Sequence, residues 1–359
     1  MKKILLSMLT VATLLLTSSC ENSDIEFGDF EYQTVYFARQ TPVRTITLGD
    51  DVYDTSLDNA HKFQIYATLG GVEKNKKDRL IQFVVDKSLC DGLTFSDGSP
   101  VQVMPSEYYS LSSNTITIPS GNIMGAVDVQ LTDAFFADSK SIDVTYIVPL
   151  RMTACQDSIL SGTAKDGVTN PNRLNSNDWS TSPKDYILYA VKYKNKWHGA
   201  WISHGTDNID YNGKTSTVER EATYLENNEI RYVSTLGLKV AKYPITTIVD
   251  TKNEKNEDTK TTLTCNLILT FDDSDNCIIT TDSPGCTVSG TGSWVYQGAK
   301  KAWSDTDRDQ LTLNYVVTFN YSKDGTIGGT YYKKYTSKDI LVMRDRQSKL
   351  EDFTVNVNQ

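Results

Sequence analysis

Three histidines, six cysteines, a run of alternating carboxylates and five tryptophans are the residues of this chain whose types and spacing could do chemistry. His198 and His204 flank one expected strand, so their side chains can share a face. Without a carboxylate placed beside them they make a weak metal site, and a structural role is the better reading; His61 stands alone. Asp305-Thr-Asp-Arg-Asp309 carries the alternating carboxylates of a calcium loop. It lacks the central glycine and the distal glutamate of an EF-hand, so a charged hairpin turn is expected. No C-x-x-C pair is present, which argues against a zinc ribbon or thioredoxin-type site. No G-x-S-x-G elbow is present, so a hydrolase serine has no support. A (β/α)₈ glycosidase needs alternating helices and strands to hold its acid pair, and the pattern here has none. The reading is a protein that is not an enzyme, with no catalytic residue, no metal and no cofactor.

The aromatic residues point elsewhere. Sugar rings present apolar C–H faces that stack on flat aromatic side chains, while their hydroxyls pair with Asn, Asp, Gln and Lys. All five tryptophans, Trp179, Trp197, Trp201, Trp294 and Trp303, lie at or after residue 179. Trp303 sits among Lys300, Lys301, Ser304 and Asp305, and Trp179 in a polar stretch, so these two are the first candidates for exposure and ligand contact. Trp201, Trp294 and Tyr296 complete the candidate set. Against them, Trp197 and Trp201 are spaced to face one side of a strand and can be core together, and Trp294 follows a Gly-rich strand that also places it inside. Tyr331, Tyr332 and Tyr335 cluster near the end.

The elements that must position these residues are nearly all strands. Short segments rich in Val, Ile, Thr, Tyr and Phe are expected at 34–38, 43–48, 62–68, 80–86, 115–118, 126–131 and 142–150. Gly, Asp, Asn, Ser and Pro separate them. Val127-Asp-Val-Gln-Leu131 alternates cleanly, so one face is buried and one is wet. Residues 161–184 have few apolar side chains and read as a connector or a long ordered loop. Longer strands follow, from 186–193 to 340–345, in a meander. The fold class is therefore all-β: an immunoglobulin-like β-sandwich over 33–160, a connector over 161–184, and an antiparallel β-barrel or β-sandwich over 185–359.

The N-terminus carries a further chemical group. Lys2 and Lys3 precede an apolar run, Ile4 to Leu16, too short to span a bilayer as a helix. Thr17, Ser18 and Ser19 follow, then Cys20. A small-residue stretch ending at a cysteine resembles a bacterial lipoprotein signal peptide, which implies cleavage after residue 19 and lipidation at Cys20. The usual aliphatic residue three before the cysteine is replaced by Thr17, with Leu16 one place further away. Glu21, Asp24, Glu26, Asp29 and Glu31 make the tether over 20–32 acidic, which resembles a surface-export signal of Bacteroidota lipoproteins. Removing Lys2 and Lys3 from 36 basic residues leaves 34 against 45 acidic, a net charge of −11. An acidic chain without a basic stripe argues against nucleic acid as a partner. Five cysteines then remain, Cys90, Cys155, Cys265, Cys277 and Cys286. An odd number leaves at least one free; a bridge among the last three stays open, with buried free thiols the better reading.

Several stretches are long enough to resemble a family. Thr34-Val-Tyr-Phe-Ala-Arg-Gln-Thr41, Ile65-Tyr-Ala-Thr-Leu-Gly-Gly71, Val84-Val-Asp-Lys-Ser-Leu-Cys90, Met104-Pro-Ser-Glu-Tyr-Tyr-Ser-Leu111, Val127 to Phe136 and Tyr146-Ile-Val-Pro-Leu150 are similar to an N-terminal domain of unknown function in Bacteroidota lipoproteins of polysaccharide-utilisation loci. Asp185 to Tyr193, Trp197-His-Gly199 and Leu341 to Arg346 resemble its C-terminal companion, with Lys196 where a proline is expected. The resemblance implies an immunoglobulin-like first domain, an outer-membrane lipoprotein facing the cell exterior, and a SusE/SusF-like role beside a SusC/SusD-type importer. The implied partners are an oligosaccharide or polysaccharide, the importer complex, and the membrane through the lipid anchor only. The function expected is capture of oligosaccharide at the cell surface. The alternatives are a non-catalytic adhesin or structural surface protein, which would show an open strand edge over an unfilled groove, and, more distantly, a glycosidase accessory protein.

Overall fold

The computed structural model describes residues 30, 32–303 and 305–357, apart from the Trp303 side chain. Cys20, the signal peptide and most of the acidic tether lie outside the described residues. In chain order the strands are β1 (Thr34–Tyr36), β2 (Pro42–Thr47), β3 (Lys62–Gly70), β4 (Arg79–Val85), β5 (Leu93–Phe95), β6 (Gln102–Val103), β7 (Tyr109–Leu111), β8 (Thr115–Ile118), β9 (Met124–Leu131), β10 (Tyr146–Cys155), β11 (Ser158–Ile159), β12 (Thr163–Ala164), β13 (Trp179–Thr181) and β14 (Tyr186–Lys194). They continue with β15 (Gly199–Tyr211), β16 (Lys214–Arg220), β17 (Glu229–Gly237), β18 (Val240–Lys252), β19 (Asp258–Phe271), β20 (Asn276–Thr280), β21 (Cys286–Trp303), β22 (Thr306–Tyr321), β23 (Tyr331–Asp345), β24 (Glu351–Asp352) and β25 (Val355–Val357). The all-β class read from the sequence is the observed one.

Alternation builds the first domain. β9 buries Val127, Val129 and Leu131 and leaves Asp128 exposed, and β3 buries Phe63, Ile65, Ala67 and Leu69. One sheet runs β11-β1-β3-β9-β7; the other runs β24-β2-β14-β10-β4-β8 with β6 beside β10. Val35, Phe37, Ile81, Ile116, Phe135, Leu150 and Val191 pack between them. Strands β5, β6 and β7 are only two or three residues long, too short for alternation to mark them in the sequence.

The expected domain boundary is corrected. Residues 161–184 do not join two domains, and the second domain does not begin at 185. β14 lies in the sandwich, antiparallel to β10 (Tyr146↔Val191) and parallel to β2 (Ala190↔Val43). The reason is chemical: Tyr186-Ile-Leu-Tyr-Ala-Val is a nearly continuous apolar run, which suits a central strand buried on both faces. The polar stretch before it is an ordered loop. β12 pairs with β13, and Arg173 donates to the buried Asp185 carboxylate at 3.0, 3.1 and 3.3 Å. The chain also returns to the sandwich after the barrel, β24 pairing with β2 and β25 with β5.

The second domain is a barrel rather than a sandwich. Nine strands form one sheet, β16-β15-β17-β18-β19-β20-β21-β22-β23, and β15 also pairs with β23. Leaving out β16, the remaining eight close on themselves. The last expected strand, 340–345, is the end of the longer strand β23. Inward positions recur at every second residue: Leu311, Leu313, Tyr315, Val317, Phe319 and Tyr321 on β22, and Tyr243, Ile245, Thr247 and Val249 on β18. At the lower end Trp197 stacks on Phe271 with ring centroids 3.7 Å apart. Arg346, buried at the junction, donates to the carbonyls of Lys196, Asn195 and Leu48 at 2.5, 2.7 and 2.8 Å, so one guanidinium ties the barrel to the sandwich.

Candidate functional site

The barrel is closed below and interrupted above. β17 pairs with β18 only through Ser234↔Lys242, Thr235↔Ala241 and Gly237↔Val240. Beyond Ser203 the neighbour of β15 changes from β17 to β16, whose ladder runs from Gly205↔Arg220 to Tyr211↔Lys214. Among the described residues the upper half of β18 therefore has a ladder to β19 but none on its other side. Side chains satisfy part of that edge. Asp250 N–H donates to Tyr211 Oη at 2.6 Å, and Lys333 Nζ donates to the Ile248 carbonyl at 2.9 Å. An unpaired backbone edge would otherwise need water or another strand.

Beneath the interruption lies a cavity of about 220 Å³. Its apolar walls are Ile209, Ile245, Val317 and Phe319; Asp207, Arg231, Tyr315, Tyr335 and Ser337 supply polar groups; Val218 and Thr246 stand on its outer side. Its floor is a charge network. Asp339, fully buried, accepts hydrogen bonds from Tyr243 at 2.8 Å, Tyr315 at 3.0 Å and Arg220. Arg220 also binds Asp207 at 2.7 and 3.1 Å, and Ser337 donates to Asp207 at 2.6 Å. Arg231 donates to Tyr243 Oη at 3.0 Å and lies 3.8 Å from Asp339. Burial opposes the Arg220 charge, but the Asp207 and Asp339 carboxylates outweigh it and hold the guanidinium protonated above its ordinary range. Burial, reinforced by Asp339, pushes the Tyr243 and Tyr315 hydroxyls up, so both remain donors. The roof is aromatic: Lys333 Nζ sits 5.0 Å from the Tyr211 ring centroid and 5.6 Å from that of Tyr335, whose hydroxyl bonds Thr247 at 2.6 Å.

Above the roof is a concave rim of about 330 Å³ lined by Tyr211, Tyr321, Tyr331, Asn212, Asp250 and Lys252 among others. Tyr331 is 42% exposed and tilts against the buried Tyr321 at 5.8 Å. Tyr332 donates to Asp210 at 3.1 Å, holding the β22–β23 end against the β15–β16 turn. Lys252 pairs with Asp258, whose carboxyl it holds below the usual range.

The tryptophans chosen from sequence are not gathered here. Trp179, expected to be exposed, is buried, with 9% of its surface exposed, and donates its Nε1–H to the Asn172 carbonyl at 2.7 Å, which staples the ordered loop. Trp201 is fully buried, its Nε1–H bonded to the Trp197 carbonyl at 3.0 Å. Trp294 packs on the barrel core with Lys196 Nζ 4.4 Å above its ring. Burial of a large apolar ring stabilises more than display does, which is why Trp in these closed strands turns inward. Tyr296 is 51% exposed but at the domain junction, donating to Asp50 at 2.5 Å. The Trp303 side chain lies outside the described residues. His198 and His204 take separate partners, Thr235 and Glu221. Asp307 caps Lys301 N–H while Asp309 accepts from Gln297 N–H, so that carboxylate run does not converge. Cys265 and Cys286 lie together as hydrogen-bonded free thiols. Sequence reading missed Asp207, Arg220, Arg231 and Asp339; the available signal was charge at inward positions of alternating strands.

Fold and site thus define a two-domain all-β protein, a sandwich carrying a barrel with an accessible interior. A family model described as a domain of unknown function, DUF5627, matches residues 196–347, the barrel. A second model, of an N-terminal domain family, matches residues 30–159, the sandwich short of β14. A crystal structure of a protein of unknown function from Bacteroides ovatus is 39% identical, covers 92% of this chain and 100% of that one, and superposes with a TM-score of 0.79. The chain belongs to the family of that Bacteroides protein. Two further Bacteroides ovatus structures are more distant: a multidomain protein including DUF1735 (14% identity, 89% of this chain and 97% of that one, TM-score 0.40) and a candidate carbohydrate-binding protein (12%, 90% and 97%, TM-score 0.27). No curated protein matches. Among the described residues no helix is long and apolar enough to cross a membrane.

Proposed function

We propose that this protein is a lipid-anchored surface protein that captures oligosaccharide at the open end of its barrel for a SusC/SusD-type importer, without catalysing a reaction. One observation carries the reading: the concave rim joins an exposed tyrosine, Tyr331, to Asn212, Asp250 and Lys252, the pairing of aromatic face and hydroxyl partners that a sugar needs. The acid Asp258 beside it is held ionised by Lys252, the opposite of what a general acid requires. Adhesion by strand donation draws no support from the sandwich, whose core is filled by its own Phe37, Ile65, Ile116 and Val148. Membrane attachment rests on Cys20 alone in this reading.

The test is a glycan array followed by calorimetry on the protein lacking residues 1–20. An aromatic contact of this kind contributes about 1 kcal/mol beyond area, so Tyr331→Ala should weaken binding about fivefold and leave the melting temperature unchanged. A blank array, or a Tyr331→Ala protein that binds as tightly as wild type, rejects the rim as the site. In cells, Cys20→Ala should release the protein from the membrane fraction; retention without fatty-acid labelling would reject the anchor.

A further inference from the structure

We infer that the cavity beneath the rim is a second, side-entrance site that takes one small neutral polyhydroxylated ring, such as a single neutral sugar unit. This rests in part on the glycan reading above, but its argument is separate. Size comes first. About 220 Å³ is below the roughly 300–1,000 Å³ of pockets for drug-sized ligands, so one ring fits and a chain does not. Charge comes second. Three positive groups, Arg220 and Arg231 in the floor and Lys333 in the roof, are set against three carboxylates, Asp207, Asp339 and Glu229, and both guanidiniums are held in direct ion pairs. A cavity that is already neutralised gives an anion or a cation no net attraction, and dehydrating either would be costly. Polar geometry comes third. Asp207, Ser337, Arg231 and Tyr315 bring acceptors and donors to one end, while Phe319, Val317, Ile209 and Ile245 give apolar walls. A ring with hydroxyls at its edge and C–H groups on its faces matches both.

Access follows from the topology. Lys333 lies between Tyr211, which lines the rim, and Tyr335, which lines the cavity. The opening is lateral, between Val218 on β16, 42% exposed, and exposed Thr246 on β18, where no ladder joins the two strands. Rim and cavity are therefore two sites with separate entrances.

The experiment titrates the protein lacking residues 1–20 with glucose, galactose, mannose and xylose, and with glucuronate and glucosamine as charged controls, followed by NMR of the labelled protein. At least one neutral sugar is expected to bind in the millimolar range and to shift resonances of Ile209, Ser337 and Val317, with the charged sugars at least tenfold weaker. Val218→Trp and Thr246→Trp, both at exposed positions that leave the core intact, should each weaken that binding tenfold or more; Tyr331→Ala should not alter it. No saturable shift with any neutral sugar overturns the inference, as does equal binding by both tryptophan variants, or preference for a charged sugar. Loss of oligosaccharide binding in Tyr331→Ala with the cavity silent would retain the rim reading and reject this one. Monosaccharide binding with a blank array would do the reverse.

Discussion

His198 shows how position sets chemistry at the scale of one residue. Its Nδ1 accepts the Thr235 N–H at 3.1 Å, which requires that nitrogen to be unprotonated. Burial, helped by the charges of Lys194, Arg346 and Lys192, lowers its pKa from 6.5 to about 3. The folded protein therefore binds one proton fewer than the unfolded chain between those values. Its contribution to stability is whole above pH 6.5 and falls as the pH drops toward 3. The slope attached to one such group is about 1.4 kcal/mol per pH unit. Chemical denaturation of wild type and His198→Asn at several values between pH 7 and pH 4 should show the variant, though less stable at neutrality, losing stability less steeply. Parallel slopes would mean that His198 charges inside the fold. The six-residue spacing from His204 made a shared face legible but hid the different backbone partners that separate the two rings.

Among the elements, β15 is the one that creates the site. Its lower half pairs with β17 and its upper half with β16, and Gly205 stands where the neighbour changes, with φ of +151°. A Cβ there would lie 1.9 Å from the Lys338 carbonyl oxygen of β23. Gly205→Ala must therefore push β15 away from β23 or flatten the bend, at a cost of about 1–3 kcal/mol. Thermal melts should place this variant several degrees below wild type, and the shift in neutral-sugar binding should exceed that of a surface substitution such as Thr217→Ala. An unchanged melting temperature would show that the strand absorbs the side chain. Strand existence was largely legible, because alternation in β9 and the apolar run in β14 are local signals. Partner choice was not: nothing within Tyr186–Lys194 says that its neighbours are β2 and β10, and a polar loop before it imitates a linker. The tryptophan pattern failed for a related reason, since Trp179 is buried by a loop whose fold depends on Arg173 and Asp185.

The whole molecule is threaded so that residues 351–357, which follow the barrel, pack on the first domain. After β23 leaves the barrel, Arg346 crosses the junction and residues 351–357 lie on the sandwich. Phe353, 9% exposed, packs with Val43, Phe95, Ile147 and Leu188, its ring edge-on to Phe95 at 5.7 Å. Lys192 and Glu351 pair at 2.7 Å beside it, and Arg39 binds Asp352. Removing a buried phenylalanine side chain typically costs about 3–5 kcal/mol. Phe353→Ala should therefore weaken the sandwich, which precedes the barrel in sequence, while the barrel keeps its own packing. Hydrogen exchange read by mass spectrometry separates the two. Protection should fall in β2, β10 and β14 and hold in β22 and β23, because the apolar cluster that holds Phe353 draws its residues from β2, β10 and β14 and, among the described residues, from neither β22 nor β23. Equal loss in both domains would mean that the Arg346 junction couples them into one cooperative unit; Arg346→Met in the same background should then confine the loss to the sandwich again.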